Sequence, residues 1–250
     1  MNEWLDDLKT AIAFLTRLPV PQADGARPAN FARAGRLFPV VGAGIGAVIG
    51  LVCLILRSAN VPELAAATLA LGCGVLLTGA LHEDGLADVA DGFGGGNDTA
   101  TKLAIMRDSR IGTYGVLILL VGFTTKVCTL AVLPDGVIVP GVVAAHALAR
   151  AVLPAVAMNL PYARSDGLAA GAGRPDLSIV VTAAAIAVLF ALLLLPFVAA
   201  LYATLAAVVG AAGMALLARR QIGGQTGDVL GATEQVAETF ILVLLAARFS

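Results

Sequence analysis

The stretch His82-Glu83-Asp84-Gly85-Leu86-Ala87-Asp88-Val89-Ala90-Asp91-Gly92 has the residue types and spacing for metal-assisted chemistry. If the apolar helix before it continues past Leu81, Asp84, Asp88 and Asp91 fall at i, i+4 and i+7 and share one stripe. Three like charges on one stripe repel, so a cation is expected beside them. Mg²⁺ suits the group: it takes carboxylate oxygens, keeps part of its water and accepts substrate phosphates as remaining ligands. A solvated acidic helix end has the same spacing, and the stripe alone does not separate the two readings. Gly92, Gly94, Gly95 and Gly96 are expected to end the helix in a flexible loop.

A second polar string runs from Lys102 through Met106-Arg107-Asp108-Ser109-Arg110-Ile111-Gly112-Thr113-Tyr114-Gly115. Arg107 and Arg110 could pair with phosphate oxygens, and Ser109 or Thr113 could cap the helix that follows. A basic flank of a membrane helix explains the cations equally well. It does not explain an acidic triad and a basic cluster in one connecting segment, which together suggest a metal-plus-phosphate site. The third patch is Gly223-Gly224-Gln225-Thr226-Gly227-Asp228-Val229-Leu230-Gly231-Ala232. Thr226 or Asp228 could cap a helix there, and Asp228 could add a metal ligand. Further on, Glu234 and Glu238 lie one turn apart; they either neutralise Arg150 or Lys126 or extend the active-site cavity.

The elements that must position these residues are membrane helices. Of the 250 residues 59% are apolar and 13% charged, and mean hydropathy is +0.91, whereas a soluble domain is about one quarter charged. The sequence predicts an all-α, polytopic transmembrane bundle, a single membrane domain over 1–250 with an N-terminal segment to residue 37. Runs near 38–56, 62–81, 113–133, 138–158, 178–196, 197–217 and 229–247 are each close to the roughly 20 apolar residues a span requires. Pro196 splits the long tract 178–217 into a helical hairpin, and Gly42, Gly46 and Gly50 form a small-residue stripe for close helix packing. Gly42 to Ala47 also matches a dinucleotide fingerprint formally, but without a preceding strand the match is rejected.

Trp4, Leu5, Leu8, Ala11, Ile12 and Leu15 repeat at helical spacing, as in an interfacial amphipathic helix or one packed on the bundle. Glu3, Asp6 and Asp7 stand where a cleaved signal would be basic. Cys53, Cys73 and Cys128 lack ligand spacing and read as reduced packing residues. Net charge is -1, which argues against nucleic acid as a partner. With the N-terminus in the cytoplasm, twelve of the sixteen lysines and arginines fall on that side and only Arg57 and Arg248 outside. The loops 82–112, 159–177 and 218–228 then face the cytoplasm of a bacterial inner membrane. A homo-oligomer is compatible with such a bundle.

Five strings in this order, FLTRLPVP from Phe14, HEDGLADVADGFGGG from His82, IMRDSRIGTYG from Ile105, PYARSDGL from Pro161 and GGQTGDVLGA from Gly223, resemble the cobalamin synthase family, the adenosylcobinamide-GDP ribazoletransferases. One departure is Ala104, where an acidic residue is expected shortly before IMRDSRIG. The resemblance implies a Mg²⁺-dependent membrane enzyme of the last step in cobalamin nucleotide-loop assembly. It would join adenosylcobinamide-GDP to α-ribazole or α-ribazole 5′-phosphate and release GMP. On that basis Asp84, Asp88 and Asp91 are expected to bind the metal, with Asp228 as a further ligand. Arg107 and Arg110, with Ser109 and Thr226, would hold the diphosphate. His82 or one of the three aspartates would take the hydroxyl proton, since an ordinary histidine titrates near neutrality.

Two rivals remain at this level. Phosphatidyltransferases using CDP-activated alcohols also set aspartates at a membrane boundary, but their motif is more widely spaced and lacks DSRIGTYG. A transporter would line a path with Lys126, His146, Arg150, Glu234 and Glu238. The chain has no internal repeat to support that, and its polar chemistry gathers on one side.

Overall fold

Why an apolar chain should fold around polar segments becomes clear from where its helices break. The computed structural model describes residues 3–20, 31–164 and 173–250. Arg27, Pro21 of the N-terminal string and residues 165–168 of PYARSDGL lie outside the described residues. Among these the chain is helical, with no strand beyond one isolated parallel bridge, Tyr162 to Gln225. The helices are α1 (Glu3–Leu15), α2 (Phe31–Ala34), α3 (Phe38–Ser58), α4 (Glu63–Thr78), α5 (Leu81–Gly95), α6 (Thr99–Ile105), α7 (Thr113–Val132), α8 (Asp135–Asn159), α9 (Leu177–Leu194), α10 (Phe197–Ile222) and α11 (Gly227–Phe249). A single 3₁₀ turn, Gly35–Leu37, leads into α3.

Among the described residues six helices are long and apolar enough to cross a membrane, and α4 with α5 makes a seventh that bends by 91°. The bend corrects the expectation of one straight helix running past Leu81. Gly79 and Ala80 both take left-handed backbone, at φ 68° and 59°, and the Gly79 amide closes α4 on the Val75 carbonyl. The chain after α1 lies across this break. Arg17 donates its amide to the Leu77 carbonyl at 2.8 Å, and its side chain fills the space a Cβ on Gly79 would need. At 16 residues, α4 reaches only about 24 Å, short of the roughly 30 Å hydrocarbon core. The polar α5 supplies the remainder.

Small residues let the other helices close. Gly42, Gly46 and Gly50 seat α3 on α8; a Cβ on Gly46 would lie 2.6 Å from the Val142 carbonyl oxygen, and one on Gly50 would lie 2.9 Å from Val139 Cα. Ala183, Ala187 and Ala191 form a wholly buried stripe on α9, the packing device expected where hydrophobicity cannot drive helices together. Leu76 and Leu193 are 79% and 73% exposed, as befits side chains whose solvent is lipid. The break expected at Pro196 is present between α9 and α10.

The N-terminal helix combines both expected roles. Asp7, Ala11 and Leu15 are buried, with Asp7 paired to Arg33 at 2.9 Å and Arg36 at 2.6 Å. Trp4 and Leu5 remain on the outside. At one end of the bundle gather the ends of α5, α8 and α10 and the starts of α7, α9 and α11. The opposite end is tied by Arg57, bonded to the Leu133 carbonyl at 2.7 Å and Glu63 at 2.8 Å.

Because Gly46 touches backbone, Gly46→Val is expected to force α3 off α8 at a cost of about 1–3 kcal/mol or more. Gly44, with nothing within 4 Å of its Cβ position, is expected to accept alanine with no loss. Thermal unfolding of both variants in detergent checks the contrast.

Candidate active site

The motif residues meet because α5 and α11 touch. A Cβ on Gly85 would stand 2.9 Å from the Asp228 carbonyl oxygen and 3.0 Å from its Cα, and one on Gly231 would stand 3.3 Å from His82 Cα. These two glycines bring Asp84 and Asp88 of α5 beside Asp228 in the first turn of α11. Asp84 is exposed and Asp88 half-buried. Asp84, Asp228 and Asp91 all act on Asp88 as like charges, and Arg164 opposes them.

Local chemistry explains why Asp228 is held there. Of the two candidates, Thr226 or Asp228, Thr226 is the N-cap: its hydroxyl oxygen accepts from the Val229 amide at 3.2 Å. The same hydroxyl donates to Asp228 Oδ2 at 3.1 Å, and Arg164 Nη2 donates to that oxygen at 3.1 Å. Arg164 is positioned by backbone pairing around the Tyr162–Gln225 bridge, where Gln225 donates to the Pro161 carbonyl at 2.8 Å and Ala163 to that of Gln225 at 3.0 Å.

Asp91 faces elsewhere. Its Oδ2 accepts from the Gly112 amide at 2.7 Å and its Oδ1 from the Gly115 amide at 2.8 Å. The cap of α7 therefore comes from Asp91, not from Ser109 or Thr113 as expected. Gly112 is the N-cap residue and makes no side-chain cap bond. A carboxylate at a helix N-terminus is favoured both by the free amides and by the helix dipole. The glycine run does end α5, but only at its last members: the helix continues through Gly92 and Gly94 to Gly95, and Gly96 is its C-cap. Gly94 admits the Tyr114 ring, and Gly92 admits Met106, so these glycines serve packing.

Arg107, Ser109 and Arg110 lie on the exposed connection between α6 and α7. Arg110 folds back on Asp108, with Nη2 to Oδ2 at 2.6 Å and Nε to Oδ1 at 3.0 Å. Those bonds hold the Asp108 carboxyl down at about 2. The structure thus joins Asp84, Asp88 and Asp228, turns Asp91 to α7, and leaves Arg110 on the surface. Arg164 went unassigned in the sequence because its loop offered no spacing that would bring it to Asp228.

His82 is not in a loop. It is 4% exposed, and its Nδ1 lies 3.3 Å from Glu234 Oε2. Behind it extends a buried network: Arg150 to Glu234 at 2.5 Å, Lys126 to Glu238 at 3.0 Å, His146 to Glu238 at 3.1 Å and Lys126 to Gln235 at 2.7 Å. Glu234 and Glu238 therefore do neutralise Arg150 and Lys126. His146, Glu234 and Glu238 offer ligand atoms within 4.8 Å of one another, but each carboxylate already faces a cation. Asp84, Asp88 and Asp228 form a second group of oxygen donors, and with Arg164 they leave an excess of negative charge, a donor set of the kind a hard divalent ion takes.

A bundle of this kind with an acidic cluster at one end defines a polytopic membrane protein carrying a polar site at the bundle mouth. Comparison with known proteins makes the assignment particular: residues 7–246 match the cobalamin-5-phosphate synthase model, and the chain belongs to that family. A relative from Bradyrhizobium diazoefficiens is 46% identical over 96% of this chain and 93% of its own; it is named adenosylcobinamide-GDP ribazoletransferase. Relatives of the same name from Mesorhizobium japonicum and Sinorhizobium sp are 44% and 41% identical, each over 98% of this chain and over 95% and 98% of their own. No solved structure matches. The chain is a transferase of cobalamin synthesis.

Two outcomes follow from this geometry. Asp91→Ala is expected to release the start of α7, since bonds to a charged acceptor contribute about 1.5–3 kcal/mol; faster hydrogen exchange at Gly112 and Gly115 would register it. Arg150→Met leaves Glu234 buried and unmatched, an expected loss of about 3–5 kcal/mol. The double variant Arg150→Met with Glu234→Gln should recover much of that loss in the same unfolding measurement.

Proposed function

We propose that the chain transfers the adenosylcobinamide phosphoryl group of adenosylcobinamide-GDP to a hydroxyl of α-ribazole or α-ribazole 5′-phosphate. The bond from that phosphorus to the GMP oxygen breaks, a bond to the ribazole oxygen forms, and GMP leaves. The names of the relatives support this reading. The observation that carries it is the convergence of Asp84 and Asp88 from α5 with Asp228 from α11.

We assign Mg²⁺ to these three carboxylates; when bound it would neutralise charge building on the phosphoryl oxygens. The remaining work falls to the chain. Asp228 is oriented by Thr226 and Arg164 before any ligand arrives, so little reorganisation is needed at the moment of transfer. An aspartate of the α5 stripe takes the hydroxyl proton. The exposure of Asp84 and half-burial of Asp88 support that choice over His82, which is enclosed and paired with Glu234. Asp91 acts by holding the start of α7 through the Gly112 and Gly115 amides. The excess of lysine and arginine at the motif end supports a cytoplasmic orientation in a bacterial inner membrane, the side on which soluble nucleotide substrates would reach the site.

Asp88→Asn in detergent-purified protein is expected to lower GMP release by about 100-fold and to blunt its Mg²⁺ dependence. Undiminished release with an unaltered Mg²⁺ titration would remove the stripe from the mechanism.

A further inference from the structure

Arg110, one of the guanidiniums expected to hold the diphosphate, is bonded to Asp108 on the surface, and no established role falls to Arg164. We propose that Arg164 is a phosphate-binding residue of this site: Nη2 stays on Asp228 while Nη1 takes an anionic oxygen of a nucleoside-diphosphate ester. This inference rests on the transfer function proposed above.

Four observations carry it. Arg164 is placed by backbone, since the pairing of Pro161 and Ala163 with Gln225 immediately precedes it. Gly224 permits that pairing, because a Cβ there would collide with the Pro161 carbonyl oxygen. The guanidinium is then locked by the 3.1 Å bond from Nη2 to Asp228, with the side chain only 18% exposed. Among the described residues its Nη1 is shielded from solvent and has no hydrogen-bond partner. A charged donor left in that state is costly, and an anionic oxygen is the partner that satisfies it.

The charge distribution directs the same ligand to the same place. A diphosphate approaching Asp84, Asp88 and Asp228 is repelled by all three, and Arg164 is a positive group that acts on Asp88 against them. A guanidinium can serve two acceptors at once because its donors form a rigid fork. Arg164 can therefore keep Asp228 aligned and receive phosphate without changing partners.

The test uses full-length protein in detergent, with GDP as the diphosphate probe and Mn²⁺ as the metal probe. Arg164→Gln is expected to weaken GDP binding about tenfold or more in calorimetric titrations, in metal-free as well as Mg²⁺-containing buffer. Mn²⁺ binding without nucleotide, read by electron paramagnetic resonance, should be retained. Arg164→Lys keeps the charge but loses the fork, and is expected to show a smaller loss of GDP affinity with Mn²⁺ binding intact. It carries the test if the glutamine variant does not fold. Unchanged GDP affinity in metal-free buffer, or a loss confined to Mn²⁺, would reduce Arg164 to a brace for Asp228 and overturn the assignment. Wild-type protein that binds no GDP would instead remove the nucleotide-transfer reading, and this inference with it.

Discussion

A charge inside a membrane bundle must be matched by another side chain, because lipid cannot solvate it. In this protein that constraint is met by Arg150 and Lys126 against Glu234 and Glu238. The partners come from three helices, α7, α8 and α11, and His82 brings in α5 as a fourth. Breaking one pair costs more than the pair contributes, since the survivor stays buried and unmatched. The network therefore specifies which helices are neighbours and at what height, more than it adds stability. The contact between α5 and α11 follows from it, and so does the position of the site.

One short helix then serves three directions. Along α5, His82 turns into the network and Glu83 accepts from Gln235 at 3.2 Å. Asp84 and Asp88 turn to the open end, and Asp91 turns to the amides of α7. Gly85 gives α5 its closeness to α11, and Gly92 and Gly94 give it closeness to α6 and α7. A bulky residue at any of these positions would move the carboxylates without touching them. The glycines are as much part of the site as the aspartates.

Much of this was legible in the sequence, for physical reasons. Spans in lipid are long and apolar, so their number and the hairpin at Pro196 could be read by hydropathy. The stripe Gly42, Gly46, Gly50 declared its own packing, and Thr226 its cap. The bend at Gly79–Ala80 was hidden because the apolar run passes through it as far as Leu81, and only backbone conformation marks it. Asp91 looked like its stripe-mates because periodicity records a face, not what another helix presents to it. Arg164 was missed because its approach to Asp228 depends on a bridge between segments far apart in sequence. The local pairing of Arg110 with Asp108, two residues away, was likewise not signalled by any long-range pattern.

The broken pair α4–α5 has a consequence for how the protein is made. The α5 half is too polar to enter a bilayer by itself, and the groups that accommodate it arrive later: α7, then α8, then α11. During synthesis α4 must therefore wait with an unanchored polar extension while downstream spans are delivered. Helix α11, which carries Asp228, Glu234 and Glu238, completes both the ionic network and the carboxylate cluster beside α5. Completion of the buried charge pairing and assembly of the carboxylate cluster therefore coincide in the docking of α11.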